Sequence, residues 1–184
     1  IDLVAMIFGM PRAVFPALSE TTFGLGPQGV GILFAAPAIG ALIGALTTGW
    51  VTSVRRQGLA VLLAVTGWGA AITLAGLSTF SIALTVVFLA IAGAADVVSA
   101  VFRGTILLET TPEPLLGRMN ALNIMVVTGG PRLGDVEAGL VAGLVGVVPS
   151  IIFGGVACLV GTAAVAWAFP SLRNYVAAAR GTAR

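Results

Sequence analysis

An all-α polytopic membrane protein with six transmembrane helices is what the sequence predicts, and three observations predict it. Of its 184 residues 58% are hydrophobic and only 9% are charged, against roughly a quarter charged in a soluble domain. Charge-free runs cover residues 21–54, 57–95 and 138–172, each longer than the ~20 apolar residues that cross a bilayer core as a helix. The polar punctuation between these runs is too short to build a folded domain outside the membrane.

Breaks in the apolar pattern place the elements in order. Helix one covers residues 1–18 and carries Asp2 and Arg12. Helix two covers 29–52 and stops before Arg55 and Arg56. Helices three and four, 59–77 and 80–108, are split only by Ser78 and Thr79. Helix five covers 116–144 and helix six 148–169, and a polar, arginine-bearing tail fills 170–184. The six spans form one bundle, 1–169. The chain opens at Ile1 inside an apolar run, without an initiator methionine or a basic leader, and is expected to be a piece whose upstream part is missing.

Charge fixes the expected orientation. Arg55 and Arg56 follow helix two, Arg118 with Glu109 and Glu113 follows helix four, and Arg173, Arg180 and Arg184 follow helix six. The opposite loops, 19–28, 78–79 and 145–147, hold one charge between them, Glu20. By the positive-inside rule the arginine side, tail included, is cytoplasmic. Trp50 and Trp167 sit near that interface, where indoles are enriched. Lysine is absent, so the basic balance reports membrane anchoring and not nucleic-acid binding.

Ionisable groups inside spans are costly and face a protein interior or a wet path. Helices three and six have none and can face lipid. The burden falls on helix one (Asp2, Arg12), helix four (Asp96, Arg103) and helix five (Arg132, Asp135, Glu137). Asp96, Ser99 and Arg103 follow a three-and-four spacing that puts them on one stripe, as a cavity lining would be. Arg132 and Asp135 share a face, while Glu137 points about 160° away from Asp135. Two readings stand for these groups: transport or coupling residues, or ion pairs that only neutralise charge at helix contacts. For Asp96 and Arg103, seven residues is a long reach, and partners on other helices are as good.

Helix two repeats small residues at Ala36, Gly40, Gly44 and Thr48, a groove that admits another backbone. Either ordinary packing or a sliding interface would use it. Pro37-Ala38-Ile39-Gly40 has a counterpart in Pro131-Arg132-Leu133-Gly134 of helix five, with Leu46 matching Leu140. Gly40, Gly44 and Gly134 are thus packing candidates. Helices two and five then occupy equivalent places in a 3+3 inverted repeat, a transporter signature.

The chain has no histidine and a single cysteine, Cys158, which excludes a disulfide and the usual zinc, haem and His-based catalytic sets. An intramembrane aspartyl protease would want Gly-x-Gly-Asp, but the sequence reads Arg132-Leu133-Gly134-Asp135. No enzyme, no metal and no cofactor is expected. A channel would need a ring of identical groups or a re-entrant loop, and no re-entrant segment is evident.

The stretches Ala5-Met6-Ile7-Phe8-Gly9-Met10-Pro11-Arg12, Phe15-Pro16-Ala17-Leu18, Ala35-Ala36-Pro37-Ala38-Ile39-Gly40-Ala41, Gly49-Trp50-Val51-Thr52-Ser53-Val54-Arg55-Arg56-Gln57-Gly58 and Gly130-Pro131-Arg132-Leu133-Gly134-Asp135-Val136-Glu137-Ala138-Gly139 carry a resemblance. Across essentially its whole length the chain resembles the C-terminal six-helix half of a twelve-helix major facilitator superfamily transporter, in the bacterial branch of the enterobactin exporter and transmembrane secretion effectors. The Gly49 segment is similar to the second copy of the superfamily's loop signature, with Ser53 where an acid is expected, so only the basic anchor Arg55 and Arg56 carries over. The resemblance implies that helices one and four line a central cavity, helices two and five meet a missing N-terminal half, and helices three and six lie outside. It also implies a proton-coupled exporter of a small amphipathic molecule such as a siderophore or drug, working by alternating access in the bacterial inner membrane. The alternatives are an importer of the same superfamily, or a channel or structural membrane protein. Expected partners are the lipid bilayer, the N-terminal half, the substrate and protons.

Overall fold

The computed structural model describes residues 1–176. Arg180 and Arg184 of the expected tail lie outside the described residues. The described chain is helical throughout, without a strand. Its spans are helix one within Asp2–Phe23, helix two Gly26–Thr47 with a 3-10 extension Thr48–Ser53, helix three Gln57–Leu77, helix four Ile82–Thr110, helix five Leu116–Val145 and helix six Val147–Ala168. A short helix, Pro170–Arg173, follows.

Helix one is not continuous. An α segment, Asp2–Phe8, stops at Gly9; a 3-10 turn, Arg12–Val14, an α turn, Phe15–Ala17, and a wide π segment, Leu18–Phe23, complete the span. Pro11 explains the stop, since it brings no N–H and turns Met10 away from the α region. The interrupted ladder is patched locally: the Gly9 N–H donates to Ala5 O at 2.8 Å and the Arg12 N–H to Met10 O at 2.8 Å. The π segment runs past residue 18 and ends at Gly24, whose φ of +65° only glycine adopts cheaply.

Within a bilayer lipid is as apolar as leucine, so helices associate through close packing and not through the hydrophobic effect. Glycines supply the closeness. A Cβ on Gly40 or Gly93 would run into the backbone of Ala90 or Pro37 respectively, which locks helix two to helix four, and one on Gly44 would meet Ala94 at 3.0 Å. A Cβ on Gly134 would sit 2.6 Å from the Ile7 carbonyl, and one on Gly154 2.8 Å from that of Phe8, so helices five and six clasp helix one just before its break. Trp68, fully buried in helix three, lies under Gly9.

The main neighbours are helices three and four, two and four, three and six, and one and five. Exchanging one for four, two for five and three for six turns the contact of two with four into that of five with one, and leaves the contact of three with six unchanged. The fold is a 3+3 inverted repeat.

Three expectations are refined. Of the two uses open to the groove of helix two, the structure shows packing within the chain, because helix four fills it, as helix one fills that of helix five. Helix three has two faces: it packs on both four and six and buries Val61, Val65, Trp68 and Ile72 completely, while Leu63, Thr66, Gly67, Leu74 and Leu77 form an exposed outer stripe. Helix five spans 30 residues, yet among the described residues only the other five helices are both long and apolar enough to cross a membrane. Arg132, Asp135 and Glu137 lower its hydropathy. It is also the least covered helix of this segment, burying only Gly130, Gly134 and Ala138.

Candidate functional site

Asp96 stands midway along helix four, Ile82–Thr110. Arg103, two turns later on the same stripe, reaches back to it, with guanidinium to carboxylate at 3.7 Å. The same guanidinium makes a charge-assisted hydrogen bond to Asp2 on helix one. Among the described residues these are the ion pairs, and the one with Asp2 joins different helices. An arginine has five donors in a fixed fork and serves two carboxylates without strain. Such pairing matters at this depth, since a lone charge at a span's centre costs about 2.5–3.5 kcal/mol on insertion scales.

Two cavities flank this group. The larger, about 400 Å³, has Asp2 and Leu3 on helix one, Arg103, Leu107 and Thr110 on helix four, and Asn123 on helix five among its lining residues. The smaller, about 270 Å³, lies between helices one, two and four and is lined by Arg12, Phe34, Pro37 and Asp96 among others. Asp2, Arg103, Asp96 and Arg12 therefore alternate in sign from one cavity to the next. Arg12 enters the second because the break at Gly9, Met10 and Pro11 redirects helix one. Ser99, the middle of the stripe, is fully buried, and its hydroxyl has no hydrogen-bond partner among the described residues.

The helix-five candidates are not gathered here. Arg132 is exposed and Asp135 half-buried, and neither forms an ion pair among the described residues, not even with the other. Glu137 has one buried carboxylate oxygen without a partner. Gly40, Gly44 and Gly134 lie at helix contacts. Arg55 and Arg56 are exposed after the 3-10 turn, in which the Ser53 hydroxyl donates to Trp50 O at 2.5 Å. Asp2 is the residue that sequence reading undervalued. The sequence marks it as one more intramembrane charge, but no spacing rule links position 2 to position 103. No group of three potential metal ligands occurs among the described residues.

At the arginine-rich end the Gly58 N–H donates to Tyr175 O at 3.4 Å, and the Tyr175 hydroxyl donates to Glu109 at 3.1 Å. The ends of helices three and four and the start of the tail thus meet on one side. Desolvation, then the hydrogen bond and charge of Glu109, push the Tyr175 phenol above its usual range.

The chain is 39% identical over 133 residues, 72% of its length, to the Enterobactin exporter EntS of Escherichia coli O1:K1 / APEC, and equally to the protein of that name in Shigella boydii serotype 18 (strain CDC 3083-94 / BS512). It belongs to the major facilitator superfamily. The chain covers 31% of the length of these curated relatives. No family model matches it and no solved structure does. As a major facilitator segment it is a multi-pass membrane protein built as one six-helix half of that fold.

Proposed function

We propose that this segment is the C-terminal half of a secondary active exporter in the bacterial inner membrane, with its arginine-rich end and tail in the cytoplasm. It works with an N-terminal six-helix half, which covers the open apolar faces of helices two and five. The observation that carries the reading is the alternating row Asp2, Arg103, Asp96 and Arg12, set between two cavities beside a broken helix one. Discontinuous helices with ionisable groups near the midplane are how carriers build substrate and ion sites. The cargo is a small amphipathic molecule, a siderophore or drug, and protons moving inward drive it out by alternating access. Similarity to proteins named as enterobactin exporters favours export over import.

In this scheme Asp96 is the coupling carboxylate. Arg103 and Arg12 adjust its charge, while Arg132, Asp135 and Glu137 stand at the boundary with the other half. Asp96→Asn in the full-length carrier is expected to abolish proton-driven uphill export, with folding, surface amount and downhill exchange retained. Wild-type uphill export with unchanged pH dependence in that variant would remove Asp96 from the role.

A further inference from the structure

The start of helix three and the short helix after helix six, Pro170–Arg173, meet at one corner of the bundle. A Cβ on Gly58 would run into the Leu172 carbonyl, and the Gly58 N–H donates to Tyr175 O at 3.4 Å. Arg55 and Arg56 stand just before Gly58 in the chain, and Arg173 follows Leu172, so this contact draws three guanidinium groups to one place. All three residues are exposed, and none forms an ion pair among the described residues. Glu109, the acid that the same segment reaches, accepts a hydrogen bond from the Tyr175 hydroxyl. Val156, Val160 and Trp167 share one exposed face of helix six by their spacing of four and seven, and it leads up to this corner.

We infer that Arg55, Arg56 and Arg173 form a headgroup site for one anionic phospholipid, which staples the start of helix three to the end of helix six. Backbone packing at Gly58, and not the arginines, fixes this corner, so like charges stay close with no acid to balance them. A phosphate supplies the missing counter-charge, and guanidinium forks match its oxygens in pairs. The occupant is a lipid and not a free anion because the exposed face below the corner is apolar, a bed for acyl chains that a free anion would leave unused. Trp167, 85% exposed at the end of that face, stands where an indole meets the headgroup layer. Basic groups at a membrane surface attract anionic lipids in general; here two separate elements converge on one headgroup. Arg118, exposed at the start of helix five, has no such neighbour element. The site lies on helices three and six and is independent of the exporter reading.

The test uses the full-length protein, stripped of lipid in detergent. Its thermal midpoint is measured with phosphatidylglycerol, phosphatidylcholine or inorganic phosphate added, and retained phosphatidylglycerol is counted by native mass spectrometry. Phosphatidylglycerol is expected to raise the midpoint by several degrees, phosphatidylcholine and inorganic phosphate to do little. Arg56→Gln and Arg173→Gln are each expected to weaken phosphatidylglycerol binding several-fold and to remove most of the gain, whereas Arg118→Gln keeps both. A gain with phosphatidylcholine equal to that with phosphatidylglycerol, or no gain with either, would overturn the proposal in the unmodified protein, whether or not the variants fold. An equal gain with inorganic phosphate would do the same, since it marks a free-anion site. Unchanged binding in Arg56→Gln and Arg173→Gln, or an equal loss in Arg118→Gln, would replace the site by diffuse surface charge.

Discussion

Arg103 is the side chain on which the polar interior turns, because among the described residues it forms the ion pairs, one with a residue of its own helix and one with a residue of helix one. Its partners show what sequence can and cannot reach. Asp96, Ser99 and Arg103 are legible as one stripe from helical spacing, since that information is local. Asp2 is not, because its meeting with Arg103 depends on how two helices far apart in the chain are packed. The Tyr175 pair is equally non-local and is open to direct measurement. This is the only tyrosine in the chain, so its ionisation can be followed by absorbance. Its phenol is expected to titrate above the ordinary value of about 10, and Glu109→Gln to bring the midpoint part of the way back, desolvation remaining. The sign follows: folding favours the protonated phenol, so the contribution of this contact is fully present below about pH 10 and is lost as pH rises through the raised value. A midpoint at the ordinary value would mean that Tyr175 is free of Glu109.

At the scale of elements, glycine decides which helices touch. The four-residue recurrence in helix two was readable as a groove, but composition could not say whether a neighbour in the same chain or another half would fill it. The structure gives the answer as helix four, with Gly40 against Ala90 and Gly93 against Pro37. Gly40→Leu is therefore expected to destabilise the bundle by about 1–3 kcal/mol, the usual cost of overpacking, read as a lower midpoint of thermal or denaturant unfolding in detergent. Gly67→Leu, on a helix-three face where an added Cβ meets open space, should be neutral or slightly stabilising, as it improves helix propensity. Equal losses at both sites would contradict the packing described. Helix three marks the opposite limit of sequence reading. A span without charge reads as fit for lipid, yet the same composition suits a helix enclosed by its own neighbours, and absence of charge does not separate the two.

For the whole molecule, the long charge-free runs made the fold class legible, since burying some twenty residues in lipid leaves few architectures open. The pairing of spans was legible only faintly, through the Pro37 and Pro131 segments. Sidedness is the remaining global property to check. Ser53, exposed beyond helix two, and Phe80, exposed between helices three and four, lie at opposite ends of helix three. Cys158 is buried, so it adds little background. Single cysteines placed by Ser53→Cys and Phe80→Cys in the full-length protein are expected to react with an impermeant thiol reagent from the cytoplasm and from the outside, respectively. Labelling of both from one face would break the arrangement of six spans.

Helices five and six are joined by Gly146 alone, at a φ of +101°. That single-residue link bears on how the chain is made. Helix five is the span least suited to entering lipid by itself, while helix six, beginning one residue later, is strongly apolar. A one-residue link leaves no polar loop between them, so the two are expected to enter the membrane together as one hairpin, the second helix carrying the first. Peptide tags or reporter domains placed at residue 146 would separate the passenger from its carrier, and would strand helix five outside the membrane before any question of transport arises.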